Sequence, residues 1–281
     1  MNSSNPVFSR RGFGRIDSAK RPQGPETFED AAHGSLLTSA AERAERTEAD
    51  TAPSTVMTID DVVTRTALTL GTVILAAVLS WVFLPVDDAN IGRSTGIAVG
   101  AALGALVLAL AQAFKRRPSP PLILSYAALE GVFLGVISSI TSTFISPGVV
   151  TQAVLGTLAV FAGVLIAYKK RWIRVTRRFY GFTTAAAGGF VLLMMADLLF
   201  SAFGAGNGLG FNSGGLGLVF GVIGIVLGAC FLALDFKQVE DGIAGGAPRE
   251  ESWLAAFGLT MTLVWIYLEA LRVLSILRSE D

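Results

Sequence analysis

The sequence predicts an all-α, polytopic membrane protein, a bundle of seven transmembrane helices behind a polar amino-terminal tail. Three observations carry this. Hydrophobic residues make up 52% of the 281 residues and charged residues only 16%, against roughly 25% charged in soluble domains. The apolar residues fall in blocks long enough to cross a bilayer, which takes about 20 residues at about 1.5 Å each. Within the blocks they do not alternate, and alanine and leucine dominate over β-branched types, which argues against barrel strands.

Residues 1–58 are a separate material. Pro6, Arg10, Arg11, Pro22, Pro25 and the mixed charges of 42–50 offer little to bury, so ordering entropy is not offset and a disordered, cytoplasmic tail is expected. A transient helix over 28–47 is compatible with this. No secretory signal is visible. The run Met57, Thr58, Ile59, Asp60, Asp61 leads into the first span, with Thr58 or Asp60 as its cap and Asp61 favourably near the helix start. The membrane domain, 59–281, then carries spans near 62–84, 95–114, 122–144, 149–168, 181–203, 215–235 and 253–277. Prolines, charges and glycines mark the breaks: Pro85 to Asp88, Lys115 to Pro118, Pro147 and Gly148, Lys169 to Arg178, the glycine-rich 204–217, and 235–252.

Lys115, Arg116 and Arg117 form one basic loop, and Lys169 to Arg178 a second. The positive-inside rule puts both in the cytoplasm. With seven spans the amino terminus is inside and the carboxyl terminus outside, in the cytoplasmic (inner) membrane. Trp172 and Trp81 read as interfacial anchors. The formal net charge is zero, so no bulk field favours nucleic acid. Cys230 is the single cysteine; it forms no internal disulfide and reads as a small apolar filler. Gly217, Gly221, Gly224 and Gly228 recur every three or four residues and line one face of the sixth span for close helix packing.

The informative residues are the acids inside the spans, because a carboxylate in hydrocarbon costs several kcal/mol unless paired, protonated or hydrated. Four are candidates: Glu130, Asp197, Asp235 and Glu269. Glu130 lies about 12 Å along the third span, with a helix–helix hydrogen bond, for instance to Tyr126, as its structural role. Asp197 falls about two-thirds of the way across the fifth span, near a polar rim. Asp235 ends the sixth span, and Lys237 is not placed to pair with it. Glu269 sits deep in the seventh, with Arg272 three residues on as an intrahelical partner. The functional alternative is a proton- or cation-sensitive site: facing carboxyls share a proton at low pH, and at higher pH repel or hold calcium through hard oxygens. The one histidine, His33, lies in the tail, so no enzyme constellation is assembled; an intramembrane aspartyl protease lacks its paired motifs.

The opening Ser4 to Phe8, the Met57 to Val63 approach, Leu129-Glu130-Gly131-Val132-Phe133-Leu134-Gly135, Ala247-Pro248, and Ile266-Tyr267-Leu268-Glu269-Ala270-Leu271-Arg272 together resemble the Bax inhibitor-1/YccA (transmembrane BAX inhibitor motif) family, closest to its actinobacterial branch. The resemblance implies a seven-helix bundle with the last helix near its centre. It also implies a pH-sensitive calcium leak in which two acids, on the sixth and seventh helices, pair across the pore. By motif match these are Asp235 and Glu269, with Arg272 helping to hold the closed state; Glu130 and Asp197 are accessory candidates on their place inside the spans alone. Span arithmetic sets the two acids at different depths; they meet only if the sixth helix is offset or the last begins in the cytoplasm near Arg249. The expected partners are the lipid bilayer, calcium and protons, and a cytoplasmic protein for the tail. No cofactor is expected beyond transient calcium, and no metal ligands can be named. The alternative is a non-transporting scaffold that regulates stress responses or access to a membrane protease.

Overall fold

The computed structural model describes residues 56–115, 117–203, 210, 211 and 213–279. Of the expected tail only Val56, Met57 and Thr58 are described; the helix expected over 28–47, and His33, lie outside the described residues. Seven helices follow: α1 (Ile59–Phe83), α2 (Ile91–Phe114), α3 (Pro120–Phe144), α4 (Val149–Lys169), α5 (Arg177–Ala202), α6 (Gly214–Ala244) and α7 (Ser252–Ser279), the last preceded by a 3₁₀ turn, Arg249–Glu251. All seven are long and apolar enough to cross a membrane. Among the described residues the extended pairing is one isolated bridge, Val56 with Pro248.

The helix starts follow from local chemistry. Thr58 caps α1 as a capping box: its Oγ1 accepts from the Asp61 amide at 3.2 Å, and its own amide donates to the Asp61 carboxylate at 3.3 Å, satisfying two orphan donors at once. Prolines open α3, where a missing amide costs nothing. Thr176 caps α5, accepting from the Phe179 amide at 3.2 Å.

The seventh helix is central, as expected. It packs on α1, α3, α4 and α6, whereas α2 leans on α3 and α5 on α6. Half of the apolar windows of α3 and α7 is buried, against 11% of that of α5. The outer helices present belts of leucine, valine and phenylalanine, with Phe83, Phe114 and Phe203 among the most exposed. Apolar surface of that extent is what a bilayer covers.

Glycines set two close crossings. Gly131 and Gly135 of α3 press on the backbone of α1: a methyl at Gly131 would lie 2.7 Å from the Ala76 Cβ and closer still to the Val73 carbonyl, and one at Gly135 would overlap Ser80 and the Ala77 carbonyl. The expected face of α6 meets α7 in the same way. Added methyls at Gly224 and Gly228 would come within 2.6 Å of the Glu269 carboxyl carbon and 2.5 Å of Ile266, and Gly221 packs on Val273.

One boundary is corrected. The sixth span runs on to Ala244, nine residues past the end expected at 235, and much of the expected 235–252 loop is helix. Gly246, in the left-handed region at φ 67°, closes α6, and the Ala247 amide reaches back to the Gly242 carbonyl at 2.9 Å, the Schellman closure that favours glycine. Lys237, beyond the expected end, pairs with Asp241 at 2.5 Å. The α6–α7 turn is then pinned from below. The Met57 amide donates to the Ala247 carbonyl at 2.8 Å, and Met57 itself is buried with Val62, Leu232 and Val239. Arg249 meets Asp61 at 2.8 Å, and Arg65 donates to the Arg249 carbonyl and the Ser252 hydroxyl. Packing of the membrane domain therefore begins at Val56, ahead of the first helix.

Candidate carboxylate site

The glycine stripe of α6 ends in an acid. Gly221, Gly224 and Gly228 share a face, and Asp235, seven residues after Gly228, continues it. On α7 the matching face runs through Gly258, Thr262, Ile266, Glu269 and Val273. Asp235 and Glu269 thus lie on one antiparallel seam, and each has its own surroundings.

The Asp235 level is hydroxyl-bound. Thr262 Oγ1 donates to Asp235 Oδ2 at 2.6 Å, and the other oxygen faces Gly258, where an added methyl would sit 3.5 Å away. The Glu269 level is ionic. Glu269 is buried, its carboxylate lies over Gly224, and its Oε2 meets Arg272 Nη2 at 2.5 Å, the intrahelical pair expected from spacing. Arg272 Nη1 also reaches Met194 Sδ of α5 at 3.4 Å. Trp265 Nε1 donates to the Gly224 carbonyl at 3.1 Å and holds the indole beside the acid. Phe190 of α5 stacks on Phe220 at 4.9 Å and tilts onto Trp265 at 5.6 Å, closing this level off.

The two levels are not in contact. Asp235 is eleven residues along α6 from Gly224, where Glu269 packs, and Thr262 is seven residues along α7 from Glu269, roughly 16 and 10 Å of helix axis. The last helix does begin near Arg249, but its register still sets the acids apart, and Ile266 and Trp265 on Gly228 fill the seam between them.

Glu130 and Asp197 are not drawn together either. Tyr126 packs edge-on against Phe257 at 5.0 Å, and Glu130, one turn beyond it on α3, is half-buried. Asp197 is 1% exposed, enclosed by its neighbours. It shares a face of α5 with Met194, three residues before it, which puts it one turn from the atom that Arg272 touches. The level of Glu269, the upper of the two, thus holds one acid on Arg272, with a second acid one turn from the Met194 that Arg272 touches.

Three polar contacts at this centre were not anticipated. Besides Thr262, the Tyr267 hydroxyl meets Ser138 Oγ at 2.6 Å, and Thr69 meets Thr260 at 2.8 Å. Heptad spacing from Glu269 back to Thr262 was the available signal for the first; the cross-helix pairs have none in one sequence. Among the described residues no group of three or more histidine, cysteine or acidic side chains could hold a metal ion.

A search of curated proteins finds no match. A profile of the family described as Bax inhibitor 1 like matches residues 5–279, which spans the tail, all seven helices and both acid levels. The chain belongs to the Bax inhibitor 1-like family.

Proposed function

We propose that the protein is a pH-sensitive passive cation leak, with calcium as its ion, gated by Asp235 and Glu269. Family membership supports a general role as a membrane channel or regulator. The observation that carries the finer reading is the seam itself, where one carboxylate from α6 and one from the central helix α7 lie between these two helices at separate levels with an apolar plug between. Intramembrane acids on an internal face mark ion or proton paths. In the closed arrangement the ionised Glu269 holds Arg272 and the Asp235 carboxylate accepts from Thr262. Protonation weakens the charge-assisted bond from Thr262 to Asp235 that ties α7 to α6, removes the charge of Glu269 that lies over Gly224, and frees α7 to shift along the glycine face. The sign follows: flux rises as pH falls. The topology in this reading is amino terminus in the cytoplasm and carboxyl terminus outside, on the strength of the two basic loops. Assignment to the branch with a long polar tail rests on the Ser4 to Phe8 and Met57 to Val63 segments.

The test is calcium flux into proteoliposomes between pH 5 and 8. Wild type is expected to leak more at pH 5 than at pH 8. Glu269→Gln and Asp235→Asn, which mimic the protonated acids, are expected to raise the flux at pH 8 by roughly tenfold, the equivalent of about 1.4 kcal/mol, and to flatten the profile. Folded protein with no flux above empty liposomes would overturn the leak and leave the scaffold reading.

A further inference from the structure

Helix α1 packs on α3 and α7, and α4 packs on α6 and α7. The two therefore stand either side of a floor made by α3 and α7, and an open groove of about 550 Å³ runs between them. It follows α1 from Thr66 to Val82, roughly 24 Å of helix axis, most of the hydrocarbon thickness of about 30 Å. Leu70 and Ile74 form one wall, Val154 and Leu158 the other, and Val264 and Tyr267 lie in the floor. In hydrocarbon such a groove suits a long, flexible apolar chain and offers nothing to a polar peptide.

Its two ends differ in charge. One holds Thr66, whose buried hydroxyl has no hydrogen-bond partner. There α4 ends at Lys169 and is followed by the exposed Lys170, Arg171 and Arg174. Of the acids near that end, Asp61 is engaged by Arg249, Asp241 by Lys237 and Glu240 by the Tyr168 hydroxyl, while Asp60 and Glu250 are exposed beside Arg65 and Arg249. The other end carries the exposed Asp87 and Asp88 against a single exposed arginine, Arg93. Basic residues at a membrane surface attract anionic headgroups, and acids repel them.

We propose that the groove between α1 and α4 holds an acyl chain of an anionic phospholipid, with its phosphate at the basic α4–α5 turn. The bound chain lies against Tyr267, two residues before Glu269, so the site abuts the helix that carries the upper acid. The assignment rests on groove and charge and stands independently of ion conduction.

Native mass spectrometry of the full chain from mixed phosphatidylglycerol and phosphatidylcholine vesicles tests it. Wild type is expected to retain one phosphatidylglycerol with a preference of roughly tenfold. Val78→Trp and Val154→Trp, on the two walls, should lose it, whereas Leu192→Trp, at a 72% exposed site on α5, should keep it. Replacing Lys169, Lys170 and Arg171 by glutamine should abolish the headgroup preference while a chain is still retained. Thermal midpoints separate loss of the site from loss of the fold, and Ile74→Trp, at another exposed wall position, serves if a wall variant is destabilised. Equal retention by wall variants and Leu192→Trp would overturn the site, and equal retention of both lipids by wild type would overturn the headgroup assignment.

Discussion

Replacing Gly131 and Gly135 together by alanine will leave the membrane domain severely destabilised, with each site costing about 3 kcal/mol, the upper end of the usual overpacking penalty. The reason is what the new methyls meet. At Gly135 they overlap the Ala77 carbonyl and Ser80, and at Gly131 the Val73 carbonyl and Ala76. Backbone cannot rotate aside as the tip of a side chain can, so α1 must move away from α3. That motion also breaks the hydrogen bond from Ser80 Oγ to the Val132 carbonyl, 3.2 Å long. In a membrane, close van der Waals approach rather than hydrophobic burial holds helices together, so lost contact is poorly offset. Unfolding of purified protein in mixed micelles, followed by circular dichroism, should show the midpoint fall sharply. Gly163→Ala, where an added methyl meets open space, should leave it nearly unchanged. A midpoint equal to wild type in the double variant would mean that the two helices do not cross at these glycines.

Arg272→Met is expected to cost about 3–5 kcal/mol, the typical effect of removing one partner from a buried ion pair. Arginine and glutamate are largely enclosed here, with side-chain exposures of 16% and 11%. Methionine fills similar space and leaves the Glu269 carboxylate without its cation over the glycine face. The diagnostic is rescue. Adding Glu269→Gln should recover most of the loss, because a neutral pair is tolerated where a lone charge is not. Adding Asp197→Asn to Arg272→Met asks the same of the acid on α5. Recovery with Glu269→Gln alone assigns the arginine to its own helix. Recovery only with Asp197→Asn would show that Arg272 neutralises α5, and would remove the basis for calling Glu269 the gate.

Much of the architecture was legible because it follows from length and polarity. Seven apolar blocks, the Thr58 and Asp61 signature at the first helix and the α6 glycine stripe all depend on local spacing, and the structure bears them out. The Glu269–Arg272 pair was readable for the same reason, being three residues apart on one helix. The end of α6 was misjudged because Asp235, Lys237 and the glycines beyond look like a loop by composition. The helix continues because Val239 and Ile243 pack with Met57 and Val62, a contact between segments nearly two hundred residues apart. Register was likewise invisible. Nothing local to Asp235 or Glu269 tells which turn of the neighbouring helix each will face; that is decided by where Gly224 and Gly228 admit large side chains from α7.

The pinned turn between α6 and α7 has a mechanical consequence. With Met57 bonded to Ala247, and Arg249 and Ser252 tied to α1, the last helix is anchored at one end like a lever on a fulcrum. Thr262 lies ten residues from the start of α7 and Glu269 seventeen, roughly 15 and 26 Å of arm. Any angular displacement about that fulcrum is therefore amplified toward the upper acid, which travels nearly twice as far as the lower one. A rotation too small to part Asp235 from Thr262 can already withdraw Glu269 from Gly224, so the two levels disengage in sequence rather than together.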